Sequence, residues 1–285
     1  MRRAVVLLLT LLAVAPAAVA IVGCGDGDPT GRERGRSHAD RSGGERATRD
    51  APRRTNAHAR DPRDDPRLKV TQGNGLACRP APPVMRRRGP RAPKRIALTF
   101  DDGPSPYTKR FLRTLRRLRV PATFFVLGRE IRGREPILRG IVRDGHALGS
   151  HGWTHRSLAP ADADTRRELR HTRQAIRAAV GHSSCLMRPP GGDIGERLRR
   201  LLRERGEQAI LWRVDPQDWR GPGSPAIVRD VLTNAFPGAI VLLHDGGGDR
   251  TQTLEALPTI VRKLRRRGYT FVTVPTLLGL KRTDR

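Results

Sequence analysis

Lys94-Arg95-Ile96-Ala97-Leu98-Thr99-Phe100-Asp101-Asp102-Gly103-Pro104 decides the fold. Its apolar run over residues 96–100 has the length and composition of a buried strand. The run ends abruptly in two carboxylates and a Gly-Pro turn signal. The same grammar recurs downstream. Strand-length apolar runs fall at 122–127, 147–150, 186–188, 209–212, 239–243 and 270–274. Amphipathic stretches at 108–118, 135–144, 163–180, 194–205, 225–235 and 253–267 read as helices between them. The last closes on a basic turn and Gly268, as a helix C-terminus should. Buried strands alternating with helices predict a parallel sheet of about seven strands, an α/β fold curled into a distorted (β/α) barrel. In such a barrel, chemistry collects where strands end.

Upstream of residue 93 the character changes. Residues 25–92 mix Arg, Asp, Gly, Pro, Ser and Thr with almost no apolar periodicity. Too little apolar area can be buried there to offset ordering entropy, so the segment reads as a disordered basic linker or tether. Residues 1–24 read as a signal peptide: Arg2-Arg3, then an apolar stretch from Val5 to Val14. Three exits stay open. Ala18-Val19-Ala20 suits a signal peptidase. Ile21-Val22-Gly23-Cys24 resembles a bacterial lipobox, with Cys24 lipidated and holding the chain to the membrane. The segment could also stay uncleaved as an anchor. Each places the remaining chain outside the cytoplasm, as a membrane-anchored lipoprotein or a secreted protein. With Cys24 lipidated, Cys78 and Cys185 remain as a candidate disulfide pair.

The chain of 285 residues has a formal charge of +28, and Arg outnumbers Lys about ten to one. Aromatics make up only 4%, which argues against a nucleic-acid binder with interleaved basic and aromatic residues. Attraction to an anionic wall polymer or lipid surface is the simpler consequence. Nothing in the sequence signals oligomerisation, so a monomer is expected.

Five short segments carry the chemistry, and each sits at a strand end. They are Thr99-Phe100-Asp101-Asp102-Gly103, His151-Gly152-Trp153-Thr154-His155, Arg188-Pro189-Pro190-Gly191-Gly192, Asp215-Pro216-Gln217-Asp218-Trp219 and Leu242-Leu243-His244-Asp245. On a helical turn, the spacing of His151 and His155 would put two imidazoles on one face, ready for one metal ion. Asp102 would complete a set of two histidines and one carboxylate. Adjacent residues at an extended strand end point in different directions. Asp101 is therefore free for a second task, that of general base. An arginine beside Asp101 would lower its pKa and keep it charged. His146, His171 and His182 read as structural or surface residues, and Gly246-Gly247-Gly248 as a turn rather than a phosphate loop.

Taken in order, the segments resemble the polysaccharide deacetylases of carbohydrate esterase family 4, which share the NodB homology domain. The resemblance covers roughly residues 93–280 and includes Ala122-Thr123-Phe124-Phe125-Val126-Leu127-Gly128. It implies a metal-dependent hydrolase that removes N-acetyl groups from N-acetylglucosamine units of a wall polysaccharide, peptidoglycan first and chitin-type oligomers second. An O-deacetylase of xylan or another acetylated polymer, and a non-catalytic wall-binding protein, are the alternatives. Residue by residue, the resemblance makes Asp101 the base. Asp102, His151 and His155 become ligands of one divalent ion, zinc or else cobalt. Arg188 becomes the partner of Asp101, Asp218 the residue that tunes His244, and His244 the acid. Trp219 and Leu242 would line an acetyl pocket, and Asp215 belongs to the cluster without a defined role. Trp153 would either contact sugar or pack under the metal loop. Many family members have Tyr where this chain has Gly191. The backbone N–H that serves the oxyanion survives there, while the ring is lost and the cleft widens.

Overall fold

The computed structural model describes residues 84–280. The signal segment with Cys24, most of the linker, and Cys78 lie outside the described residues. Eight strands and seven helices alternate, in the order expected of stacked βα units. The strands are β1 (Met85–Arg86), β2 (Arg95–Gly103), β3 (Thr123–Val126), β4 (Ala147–Ser150), β5 (Leu186–Met187), β6 (Gln208–Ile210), β7 (Ile240–His244) and β8 (Thr270–Phe271). The helices are α1 (Thr108–Leu118), α2 (Glu135–Arg143), α3 (Ala163–Val180), α4 (Glu196–Glu204), α5 (Ser224–Asn234), α6 (Thr251–Arg266) and α7 (Val274–Leu278).

All pairings between these strands are parallel, in the order β1-β6-β5-β4-β3-β2-β7, with β8 set against the start of β2. The two ends of this path meet through single bridges. Arg88 bridges Ala239 antiparallel, and Val214 bridges Val241 parallel. The result is the expected distorted, barely closed barrel.

Two departures from the sequence reading have simple causes. The linker was expected to run to residue 92, yet Met85 and Arg86 pair with Ala209 and Ile210 and belong to the sheet. A two-residue strand flanked by arginines carries no periodicity to betray it. The run at 270–274 was expected to be all strand, but Thr273 caps a helix by accepting the Thr276 N–H. The chain then turns at Val274 into α7.

The strand period of two sorts residues into two layers. Ile96, Leu98 and Phe100 face outward with Phe124, Val126, Val241 and Leu243, under α1, α2, α5 and α6. Ala97, Phe125, Ala147, Ile210 and Ile240 face inward, where Val274 and Leu277 of α7 join them as an apolar plug. Next to the plug, the inward positions of β2 turn polar at Thr99 and Asp101, both buried. That change of character inside the barrel is what positions the site. The outer layer is closely packed: the Phe111 ring meets Phe100 edge-on, with centroids 5.1 Å apart, and Phe111 is fully buried. Phe111→Ala should therefore lower stability by about 3–5 kcal/mol, measured as the shift in a urea unfolding transition.

Candidate functional site

β2 stays in register with β3 through Asp101, then slips, so that Gly103 opposes Val126 and Asp102 is the extra residue of a bulge. Asp102 takes a left-handed conformation, φ 71°, which is unfavourable for a residue with a Cβ and concentrates at functional positions. The bulge overturns the expectation that the two carboxylates diverge. Asp101 Oδ2 and Asp102 Oδ1 lie 3.7 and 3.5 Å from the same nitrogen, His151 Nε2. The turn after β7 fits closely around the bulge. A Cβ at Gly246 would lie 2.1 Å from the Asp102 carbonyl oxygen, and one at Gly247 would lie 2.6 Å from Asp102 Oδ2. Arg250 holds this turn through the carbonyls of Gly246 and Gly247, at 2.6 and 3.0 Å. The glycine run is thus required by close approach and not merely by turning.

His151 follows β4 and is buried. Its Nδ1 lies 2.8 Å from the Arg188 carbonyl oxygen. A carbonyl only accepts, so Nδ1 carries the proton and Nε2 presents its lone pair to the site. Burial pushes this imidazole down to about 3, so it is neutral at pH 7, the form that binds metal. The path to His155 is not the helical turn expected from the spacing. Residues 151–155 form a loop in which Gly152 (φ 79°) and His155 (φ 72°) are both left-handed. Those two reversals bring the rings to 5.1 Å, edge to face. His155 Nε2 lies 3.5 Å from Asp102 Oδ1, the same oxygen that faces His151. One ligand atom from each of Asp102, His151 and His155 falls within 4.8 Å of the others. Asp102 Oδ1 is buried and accepts no hydrogen bond. A neutral imidazole, a second imidazole and an unsatisfied carboxylate oxygen together fit a divalent cation.

Arg188, fully buried, follows β5. Its Nη1 donates to Asp101 Oδ1 at 2.7 Å and to Thr99 Oγ1 at 2.8 Å, and Nε donates to the Ile210 carbonyl at 2.9 Å. The guanidinium lies 4.1 Å from the Phe125 ring centroid. Burial raises the Asp101 carboxyl above its ordinary range, against the opposing pull of Arg188 and His244. The expected lowering by Arg188 is therefore real in sign but smaller than the desolvation that accompanies it.

His244 ends β7 directly opposite Asp101 in register. Asp218 holds it twice, accepting from Nδ1 at 2.7 Å and from the backbone N–H at 2.9 Å. Thr253 donates a third hydrogen bond to Asp218, at 2.8 Å. Burial alone would lower the His244 imidazole, but the Asp218 hydrogen bond and charge, then Asp101 and Asp102, raise it.

The remaining predicted residues divide. Leu242 is buried and Trp219 is 48% exposed, with the Arg220 guanidinium 4.6 Å from its ring centroid. Gly191 is exposed and left-handed, and a Cβ there would meet nothing within 4 Å. Asp215 accepts the Gln217 N–H at 2.9 Å and so shapes the turn that leads to Asp218. Of the two roles open for Trp153, packing under the loop is the one its contacts support. A Cβ at Gly128 would lie 2.3 Å from its ring, and its edge meets His171 at 5.7 Å. Cys185 is buried and disulfide-bonded; its expected partner, Cys78, lies outside the described residues.

Two carboxylates escaped the sequence reading. Asp245 is fully buried behind the bulge, takes a hydrogen bond from Thr108 Oγ1, and is raised to about 7 by burial. Glu168 of α3 is buried against the histidine loop. The signal for Glu168 was its place in the stripe Thr165, Glu168, Leu169, Thr172 and Ile176, where helical spacing demands an inward-facing side chain.

A polysaccharide deacetylase family profile matches residues 88–210. A peptidoglycan-N-acetylglucosamine deacetylase of Bacillus cereus is 39% identical over 196 residues, covering 67% of this chain and 92% of that protein. A chitooligosaccharide deacetylase of Rhizobium leguminosarum bv. trifolii is 38% identical over 200 residues, covering 64% and 91%. Among solved structures, a peptidoglycan N-acetylglucosamine deacetylase in complex with 4-naphthalen-1-yl-N-oxidanyl-benzamide aligns with a TM-score of 0.68. It is 32% identical, and the match covers 70% of this chain and 95% of that one.

The contact between the glycine turn and the bulge can be tested directly. Because the atom facing Gly246 is backbone, no side-chain rotation can make room for a methyl group. Gly246→Ala should destabilise the protein by roughly 1–3 kcal/mol, read from urea unfolding, whereas Gly191→Ala should cost less, since only its backbone conformation opposes a Cβ.

Proposed function

The chain belongs to the polysaccharide deacetylase family, and from that premise we propose that it hydrolyses the N-acetyl groups of N-acetylglucosamine units in peptidoglycan. The observation that carries this reading is the register pairing of Asp101 with His244, beside the cluster of Asp102, His151 and His155. A proton acceptor and a proton donor stand side by side on adjacent strand ends, each held by a buried partner of opposite charge.

In this reading Asp102, His151 and His155 hold one divalent ion, zinc first and cobalt second. When bound, that ion supplies a Lewis acid that polarises the acetyl carbonyl and acidifies a water molecule. Asp101 is the general base. Arg188 fixes one of its oxygens, and the other faces the cluster. Its burial-raised pKa makes it a stronger proton acceptor than a solvated carboxylate. His244 is the general acid that protonates the departing sugar amine, with its proton on Nε2 while Nδ1–H stays on Asp218. The Gly191 N–H is the candidate donor to the developing oxyanion. Leu242 and Trp219 form the wall for the acetyl methyl group.

Peptidoglycan is favoured over chitin-type oligomers because the N-terminal segment reads as an export signal. In this reading Cys24, in its lipobox-like setting, carries lipid and tethers a monomeric enzyme to the membrane beside the wall.

Acetate release from peptidoglycan, chitin oligomers and acetylated xylan by the chain lacking residues 1–24 tests the proposal. A chelator should abolish release and zinc or cobalt should restore it. Release that is indifferent to the chelator would sink the reading. Asp101→Asn and His244→Ala should each lower kcat by about 10²–10⁴-fold. The pH profile carries an independent signature. His244 must be protonated to act as acid, and Asp218 raises its pKa. Activity should therefore fall as pH rises through that raised value. Asp218→Asn should move this alkaline limb to lower pH. An unmoved limb in a folded, active Asp218→Asn variant would remove His244 from the acid role.

A further inference from the structure

The loop between the two histidines has no helix or strand to hold it, yet the N–H groups of Gly152, Trp153 and Thr154 and the carbonyls of Gly152 and Trp153 are all hydrogen-bonded. Its carbonyls accept from one side: Gly128 N–H donates to Gly152 O at 2.9 Å, and Arg129 N–H donates to Trp153 O at 3.2 Å. The N–H groups of Trp153 and Thr154 point the other way, towards α3. There a single carboxylate receives them. Glu168 Oε2 accepts from Trp153 N–H at 2.6 Å and from Thr154 N–H at 2.8 Å, and Glu168 Oε1 accepts from Thr154 Oγ1 at 2.8 Å. Glu168 is only 8% exposed and lies on the buried face of α3 with Thr165 and Thr172. A buried carboxylate with three donors is satisfied. Without it, the N–H groups of Trp153 and Thr154 would lose the acceptor that holds them to α3. Gly152 completes the fit, since a Cβ there would already lie 3.4 Å from Glu168 Oε2.

We propose that Glu168 is a positioning residue for the metal centre, setting the distance between His151 and His155 by anchoring the N–H groups of Trp153 and Thr154. The inference rests on the reading of Asp102, His151 and His155 as ligands. His151 is fixed independently, by β4 and by the Arg188 carbonyl. His155 has no comparable support. It is left-handed, its side chain is 45% exposed, and it stands at the far end of the loop. Thr154, immediately before it, is the residue that Glu168 grips through both backbone and hydroxyl. Releasing that grip frees His155 while leaving His151 and Asp102 in place. The consequence is a site of two firm ligands and one loose one.

The test is metal affinity, measured on the chain lacking residues 1–24 by competition of zinc against a chromophoric chelator, together with the visible spectrum of the cobalt form. Glu168→Ala should weaken zinc binding by about 10–100-fold, the range for outer partners of metal ligands. It should also change the visible bands of the cobalt form, because one protein ligand is no longer held in place. Glu168→Gln keeps the shape and one acceptor oxygen, so it should fall between wild type and Glu168→Ala. Should the alanine variant fail to fold, the glutamine variant decides the question alone. Wild-type zinc affinity and an unchanged cobalt spectrum in a folded Glu168 variant would overturn the positioning role. Failure of the wild-type chain to bind zinc or cobalt at all would overturn the metal reading, and this inference with it.

Discussion

A guanidinium with no access to solvent stands at the centre of this barrel, and the proposed active site is arranged around it. Arg188 reaches from the end of β5 to Asp101 and Thr99 on β2 and to Ile210 on β6. Its own carbonyl takes the Nδ1 proton of His151 after β4, and its N–H donates to Ser150. One residue thus orients the proposed base and selects the tautomer of a proposed metal ligand. Burying the charge is unfavourable, and the ion pair with Asp101 only offsets that penalty, so the pair is not a source of stability. What it supplies is definition. Removing the guanidinium would leave a buried carboxylate without its counter-charge, a loss of about 3–5 kcal/mol in comparable pairs.

The fold makes room for this arrangement by dividing the barrel interior. α7 plugs one end with Val274 and Leu277 against Ala97, Ala147 and Ile240. Phe125 belongs to the same plug, and the guanidinium lies on its ring. The aromatic face gives the cation a favourable neighbour on the side where no hydrogen-bond acceptor is available. Backbone strain is distributed in the same pattern. Among the described residues five that are not glycine have positive φ, and three of them, Asp102, His155 and Gln217, either belong to the proposed ligand cluster or immediately precede Asp218. The outer layer of Phe100, Phe111 and Phe124 supports these conformations without taking part in them.

The parts of this structure that were legible in the sequence are those governed by periodicity. α1 and α3 begin and end where their apolar stripes do, and β2, β4 and β7 each contain a mostly apolar run of strand length. Asp101 and His244 were visible because each interrupts such a run at its end. What was not legible depends on torsion angles or on single contacts. The bulge at Asp102 converts two diverging carboxylates into a converging pair, and no residue pattern encodes that slip. The His151–His155 spacing suggested a helical turn, whereas two left-handed residues build a loop. β1 escaped because two residues among arginines have no period. Glu168 was hidden in an Arg-rich helix, although a carboxylate on the buried stripe was a usable sign of an inward polar contact.

The electrostatics of the site follow from how its charges are paired. Asp101 is matched by Arg188, and His244 by Asp218, each pair across neighbouring strands. Both proposed reacting groups are displaced upward, Asp101 by burial and His244 by its carboxylate partner. For a base, an upward shift means greater proton affinity. For an acid, it means that the proton is still present near neutral pH. The same direction of shift therefore serves opposite tasks, because the environments differ: one group is buried beside a cation, the other is hydrogen-bonded to an anion. Those two pairs are each neutral, which leaves Asp102 as the unmatched charge of the cluster. Its Oδ1 is buried without a donor and faces two imidazole nitrogens, one of them kept neutral by burial. A lone buried carboxylate is strongly unfavourable unless a cation joins it. With Asp101 and Asp218 already matched, the demand for positive charge at Asp102 falls between His151 and His155, where the proposed ion would sit.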